Sequence, residues 1–207
     1  MSRTPRLTAK GQATRQRLLD IARDELAGHG SIEIAAVAER AGLTPSVLYR
    51  YFQGKDGLIE AVVHDFWDQY AAEVFDAPMD ADLPWLEREI LRLRREVHFL
   101  YTHPLGRAVA TGLLHEAAAS RAGAIRQREQ AQAAARNIRY GQRTEQLDQT
   151  IDAGLVGSAV IGALHAMLAE ALSRDPAPPE HLVVDAAAQL GRALLAPGRT
   201  DDYQDAP

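Results

Sequence analysis

The chain has 207 residues, a net charge of −5, 46% hydrophobic and 25% charged residues, and no cysteine. That length suits one sizeable domain or two small ones, and the composition is that of an ordinary globular chain. The missing cysteines exclude a disulfide framework and a thiolate zinc site, and no unbroken apolar run of about 18 residues points to a membrane span.

Helical periodicity dominates from the start. Leu18, Ala22 and Leu26 recur four apart with Leu19 beside them, which predicts an amphipathic helix over residues 12–27, stopped by Gly28-His29-Gly30. Residues 34–41 predict a short helix with Val37, Ala38 and Ala41 on one side, closed by Gly42 in the left-handed conformation that glycine tolerates. Thr44 then offers a cap and Pro45 a first-turn residue for another short helix over 45–51. Gln53-Gly54 breaks it, and residues 55–75 carry Leu58, Ile59, Val62, Val63 and Phe66 at helical spacing. Further helices are expected over 85–102, from His103-Pro104 to 119, over the polar segment 122–140, over the long apolar segment 147–173 and over 180–195. Asp175 to Pro179 is a breaker, and a loose tail is expected from Pro197. With no strand signal and no internal repeat, the expected fold class is all-α, with about nine helices.

The charge is unevenly spread. Residues 1–57 hold nine Lys/Arg against six Asp/Glu, whereas the remainder holds 14 against 22. Up to Arg17 the charged residues are Arg3, Arg6, Lys10, Arg15 and Arg17, all basic. Such a segment is either a footprint for phosphate or a solvated tail, and charge alone does not choose. The N-terminus has no apolar stretch of a secretory leader, so the protein is expected in the cytoplasm, with no membrane partner.

Residues 34–51 read as two short helices joined by Gly42-Leu43-Thr44, the plan of a helix-turn-helix, although short helix pairs also occur in all-α proteins with no nucleic acid to bind. The second helix suits a major groove. Ser46 and Val47 are small and near its start, Tyr49 and Tyr51 offer hydroxyls to phosphates, and Arg50 offers a fork to phosphate or guanine. Lys55 opens the next helix, where its ammonium and the backbone N–H groups can meet one phosphate.

The runs TRQRLLDIARDELAGHG and VAERAGLTPSVLYRYFQGKDGLIEAVV resemble the N-terminal domain of the TetR/AcrR family of regulators. The matching residues are Thr14, Leu19, Ala22, Gly30, Ala38, Ala41-Gly42, Leu48-Tyr49, Tyr51-Phe52, Lys55 and Leu58. The resemblance implies that Thr44, Pro45, Ser46, Val47 and Arg50 lie in or beside a recognition helix. It implies that Tyr49, Tyr51 and Lys55 hold phosphates, with Thr14 touching the DNA backbone. The chain departs from the pattern where the segment before Val37 is shortened, where Glu33 or Ser31 stands for the usual Ser/Thr cap, and where Ala35 replaces a frequent basic residue. These departures weaken phosphate gripping by the first half of the motif. The domains expected are a basic arm over 1–12, a DNA-binding helix-turn-helix domain over 13–57, a helical ligand-binding and dimerisation domain over 58–196, and a tail over 197–207.

The segment 147–173 is apolar nearly all round, so it must be buried, either in a monomer's core or in a homodimer. The dimer reading places Leu155, Ile161, Leu164 and Leu168, with Leu190 and Leu194 of the last helix, in a four-helix interface. Candidate lining residues of a pocket for a small-molecule effector are Trp67, Tyr70, Trp85, Phe99, Tyr101, His103, His115, Tyr140, His165 and Met167, each also compatible with ordinary core packing. His98, His103 and His115 lack metal-ligand spacing, and His64 with Asp68 supplies only two ligands, so neither metal nor cofactor is expected. No phosphate loop, nucleophile elbow or zinc-protease signature is present, and no catalytic residue is expected. The expected function is that of a homodimeric regulator, a repressor released from a palindrome-like operator on double-stranded DNA by a small apolar or aromatic ligand. The alternatives are a ligand-independent DNA-binding or activator protein and an all-α enzyme.

Overall fold

The computed structural model describes residues 7–80, 82–114 and 117–195. Arg3 and Arg6, His115 and the segment from 197 therefore lie outside the described residues. Among those described there are nine α-helices and no strand. The helices are α1 (Ala9–His29), α2 (Ile34–Arg40), α3 (Pro45–Tyr51), α4 (Gly54–Tyr70), α5 (Trp85–Thr102), α6 (Gly106–Ala110), α7 (Ala117–Arg143), α8 (Ala153–Ser173) and α9 (Glu180–Leu195), and a π-helical turn, Ala71–Phe75, continues α4.

Local chemistry explains where these bounds differ from the periodicity. α1 begins earlier than residue 12 because Thr8 caps it, its hydroxyl accepting from the Gly11 N–H at 3.2 Å. α8 begins at Ala153 rather than near 147 because the Asp152 carboxylate accepts from the N–H groups of Gly154 and Leu155, at 2.8 and 2.9 Å. The helix expected from His103 to 119 is only the short α6. Gly112 stands at φ +69°, which ends it, and α7 starts afresh at Ala117.

The chain forms two compact units, Met1–Asp76 with Phe99–Ala124 and Ala77–His98 with Ile125–Pro207. In the first, α1 packs on α2 and α4, and α2 packs on α3. Leu18 and Leu26 of α1, Val37 of α2, Leu48 of α3 and Leu58, Ile59 and Phe66 of α4 are fully or almost fully buried there. Burying each such side chain contributes about 1.5–3 kcal/mol before entropy is counted. Arg40 joins α2 to α1 through Glu25 at 2.7 Å and Asp24 at 3.7 Å.

In the second unit α8 packs on α9. Trp85, Ile138 and Ala153 form a buried cluster, with Leu147, Ile151, Val156 and Leu195 against it. The Trp85 indole N–H donates to the Asn137 carbonyl at 3.0 Å, and its backbone N–H to Gln146 Oε1 at 2.6 Å. By length and composition α8 alone among the described helices could cross a membrane. Within the unit it is amphipathic in use. Gly157, Leu164, Leu168, Ala171 and Leu172 are buried, and Leu155, Ala159, Gly162 and Ala166 are exposed. The expectation that the whole helix is buried thus holds for one face of a single chain.

Candidate functional site

The turn between α2 and α3 is set by Gly42 at φ +65°. Its N–H donates to the Glu39 carbonyl and that of Leu43 to the Ala38 carbonyl, both at 2.9 Å, so the last carbonyls of α2 are satisfied as the chain reverses. Glu33, not Ser31, is the N-cap of α2, and it makes no side-chain capping bond. Thr44 occupies the N-cap position of α3 in extended conformation, but its hydroxyl does not cap the helix; it lies 2.9 Å from the Ser46 hydroxyl. The expected cap is therefore a positional one. The two hydroxyls are paired side by side at the start of α3.

Leu48 and Phe52 are buried and fix which side of α3 faces outward. Thr44, Pro45, Ser46, Tyr49 and Arg50 are exposed, while Val47, Tyr51 and Lys55 are half-buried. Tyr49 is 55% exposed, a large ring turned partly to solvent. At the end of α3 the Arg15 guanidinium of α1 lies over the Phe52 ring, 5.3 Å from its centroid, so a cation from α1 is held beside the helix. Gly54 at φ +88° makes the sharp entry into α4 that puts Lys55 in its first turn. Thr14 is placed differently from expectation. Since α1 starts at Ala9, it sits inside the helix, and its hydroxyl donates to the Lys10 carbonyl at 3.0 Å.

The proposed pocket residues do not converge on one cavity. Tyr70 and Phe99 are buried in the first unit, in an aromatic cluster with Phe66, Trp67 and His103. The His103 ring stacks on Phe99 at 5.0 Å, and its Nδ1 accepts from the Leu105 N–H at 3.1 Å. That bond puts the proton on Nε2, which is buried with no hydrogen-bond partner among the described residues. Burial chiefly, and then the Arg23 charge, push this imidazole down to about 4, with Asp65 opposing. Tyr101, in the same unit, is half-buried. In the second unit Trp85 is core, and Tyr140 is exposed beneath Arg88 and Arg143. Met167 is half-buried, and burial lowers the pKa of the half-buried His165.

The first unit holds a cavity of about 130 Å³, walled by Val63, Phe66 and Trp67 of α4, by Leu105 and Val109, and by Gly123 of α7. Of the proposed pocket residues that lie among the described residues, only Trp67 lines it. The others that matter there, Phe66 and Leu105 above all, are indistinguishable in sequence from core residues. His98, weighed as a metal ligand, instead faces the Glu180 carboxylate at 3.2 Å in the second unit. Among the described residues no group of three His, Cys, Asp or Glu is placed to hold a metal.

For a dimer face, Leu155 is 72% exposed and Ile161, Leu190 and Leu194 are half-buried. Leu164 and Leu168 are not available to a second copy: they are 5% and 1% exposed, packed inside their own chain. The outward apolar residues are Leu155, Ala159, Gly162 and Ala166 of α8 and Leu182, Ala186 and Ala193 of α9, each set at helical spacing.

Comparison with known proteins agrees with this geometry. Residues 18–62 match the family model "Bacterial regulatory proteins, tetR family". No protein of curated function matches the chain. Solved structures do. SmeT, the repressor of the Stenotrophomonas maltophilia multidrug efflux pump SmeDEF, superposes with a TM-score of 0.74 at 18% identity, covering 95% of this chain and 96% of that one. The regulator FadR from Bacillus subtilis, in complex with stearoyl-CoA, gives 0.71 at 13% identity, with 87% and 97% covered. A putative TetR-family regulator from Rhodococcus sp. gives 0.69 at 17% identity, with 89% and 100% covered. The helix-turn-helix segment thus belongs to the tetR family of bacterial regulatory proteins, and the chain that carries it has the fold of TetR-family transcriptional regulators.

Proposed function

We propose that the protein is a cytoplasmic, homodimeric transcriptional repressor that binds a palindrome-like operator and is released by a small apolar or aromatic effector. The observation that carries the reading is the outward face of α3: Thr44, Pro45, Ser46, Tyr49 and Arg50 are exposed, and Leu48 and Phe52 anchor the helix from behind. In this reading the N-terminal residues of α3 meet base edges, Arg50 contacts guanine or phosphate, and Tyr49, Tyr51 and Lys55 hold phosphates. Thr14 is kept as a DNA-backbone contact in this reading, with its hydroxyl already donated to the Lys10 carbonyl within α1. Residues 13–57 are the DNA-binding domain and 58–196 bind ligand and partner.

The dimer rests on the outward stripes of α8 and α9. Paired with the same stripes of a second copy they make a four-helix contact, and the small Ala159, Gly162 and Ala166 let the helices approach closely. Two recognition helices related by a two-fold axis require half-sites about one DNA turn, or a multiple, apart. The effector can release DNA only by binding the DNA-free state more tightly. α4 is suited to carry that preference, because it follows α3 after Phe52 and Gln53 and also walls the cavity. The reading is of a binding protein, not an enzyme. Efflux-pump control is SmeT's and stearoyl-CoA is FadR's; this chain's effector is assigned from its own residues.

The test is selection from a randomised duplex pool at moderate and at raised salt. A two-fold-symmetric site whose binding falls steeply with salt is expected. A folded dimer that enriches no sequence, with or without candidate effectors, would overturn the proposal.

A further inference from the structure

We infer that the cavity walled by α4, α6 and α7 is a binding site for a small uncharged molecule about the size of a single aromatic ring. That this molecule is the effector rests on the regulator reading above; that it binds does not. Three observations carry the inference. The first is size: the cavity is about 130 Å³, and an apolar cavity of about 150 Å³ stays dry and accepts benzene. A long acyl chain or a multi-ring compound would have to extend beyond that space through its open side.

The second is chemistry. The described wall is made by Val63, Phe66, Trp67, Leu105, Val109, Leu114 and small residues, with no charged side chain among the described residues. A carboxylate or ammonium placed there would be desolvated with no partner, so a charged ligand is rejected and a hydrocarbon-like one is not. Phe66 and Trp67 meet edge to face, centroids 4.9 Å apart, and so present both a ring face and a ring edge to an incoming aromatic.

The third is that two of the wall residues are glycines with free space beside them. At Gly123 of α7 and at Gly112, both on the wall, an added Cβ would meet nothing within 4 Å. Gly112 has a conformational reason to be glycine, φ +69°. Gly123 sits inside a helix, where glycine costs about 1 kcal/mol relative to alanine, and no close approach at its Cα requires it.

The test uses the full chain without DNA, with benzene as probe and benzoate as its charged counterpart, by calorimetric titration. Benzene is expected to bind saturably, and benzoate more than roughly a hundredfold more weakly. Gly123→Leu, which adds a bulky side chain at the wall, is expected to abolish benzene binding. Should that variant misfold, intermolecular NOEs in the wild-type protein from benzene to the Trp67 indole, and not to that of Trp85, locate the ligand. No binding by folded protein, or equal binding by Gly123→Leu, or NOEs only to Trp85, would overturn the inference. Operator release is read separately. Benzene bound in the cavity without any effect on operator binding leaves the site standing and removes its role as effector site.

Discussion

Gly157 of α8 meets Ala135 of α7 so closely that a Cβ on the glycine would lie 2.9 Å from the Ala135 backbone nitrogen. The approach is set by backbone, which cannot swing aside as a flexible side chain can. Gly162, five residues on, would place a Cβ in open space. Gly157→Val is therefore expected to cost about 1–3 kcal/mol through overpacking within the chain, whereas Gly162→Ala adds no strain there, and any loss it causes would lie in the dimer contact of its outward stripe. Urea unfolding of the two variants checks this, and equal midpoints would contradict the close α7–α8 approach.

Arg50 stands exposed on the outward side of α3, away from Leu48 and Phe52. Arg50→Ala should weaken operator binding by about 1–3 kcal/mol while leaving the circular dichroism spectrum unchanged. Loss of discrimination at one base pair would mark a guanine contact, and a uniform loss with a shallower salt dependence would mark a phosphate. Unchanged affinity would remove Arg50 from the interface.

Much of this was legible in the sequence because it depends on short-range signals. Pro45 and Gly42 mark the bounds of α3 and of the turn, and the 85–102 helix follows from its apolar register. Helix starts set by an unpatterned cap, Thr8 and Asp152, were not legible, since a polar residue becomes a cap only once the chain beyond it is helical. Nor could periodicity divide α8 into its inner and outer faces. Leucine at 155 and at 164 reads alike, yet one is exposed and the other buried, because the choice is made by where α7 and α9 pack. The cavity was least legible of all. Trp67 is a candidate by its aromatic ring, but the rest of the wall, from Phe66 and Leu105 to Gly112 and Gly123, carries no pattern that sets it apart from core or loop.

That division of α8 yields a paired prediction for the dimer. Ala166→Glu puts a charge on the outward stripe and should give folded monomers by light scattering, with helicity kept. Leu164→Glu buries an unpaired carboxylate in the chain's own core and should cost about 3 kcal/mol or more of stability rather than dissociate a folded dimer. Folded dimers from Ala166→Glu would place the interface elsewhere.

The His103 imidazole, pushed down to about 4 chiefly by burial, makes stability depend on pH with a definite sign. In the unfolded chain a histidine takes up its proton near pH 6.5. Between pH 6.5 and about 4 the unfolded state therefore holds a proton that the folded state refuses, so stability is highest above this window and falls as pH drops through it. Below about 4 both states are protonated and this contribution levels off. His103→Asn removes the titrating group while leaving an oxygen able to accept from the Leu105 N–H, as Nδ1 does now at 3.1 Å. The variant should lose less stability than the wild type between neutral pH and pH 4.5, in chemical unfolding followed by circular dichroism. A weaker slope of the same sign is expected to persist, because burial lowers the pKa of His165 as well. If the variant follows the wild-type pH profile, the His103 ring is not held neutral by its place between Phe66, Phe99 and Arg23.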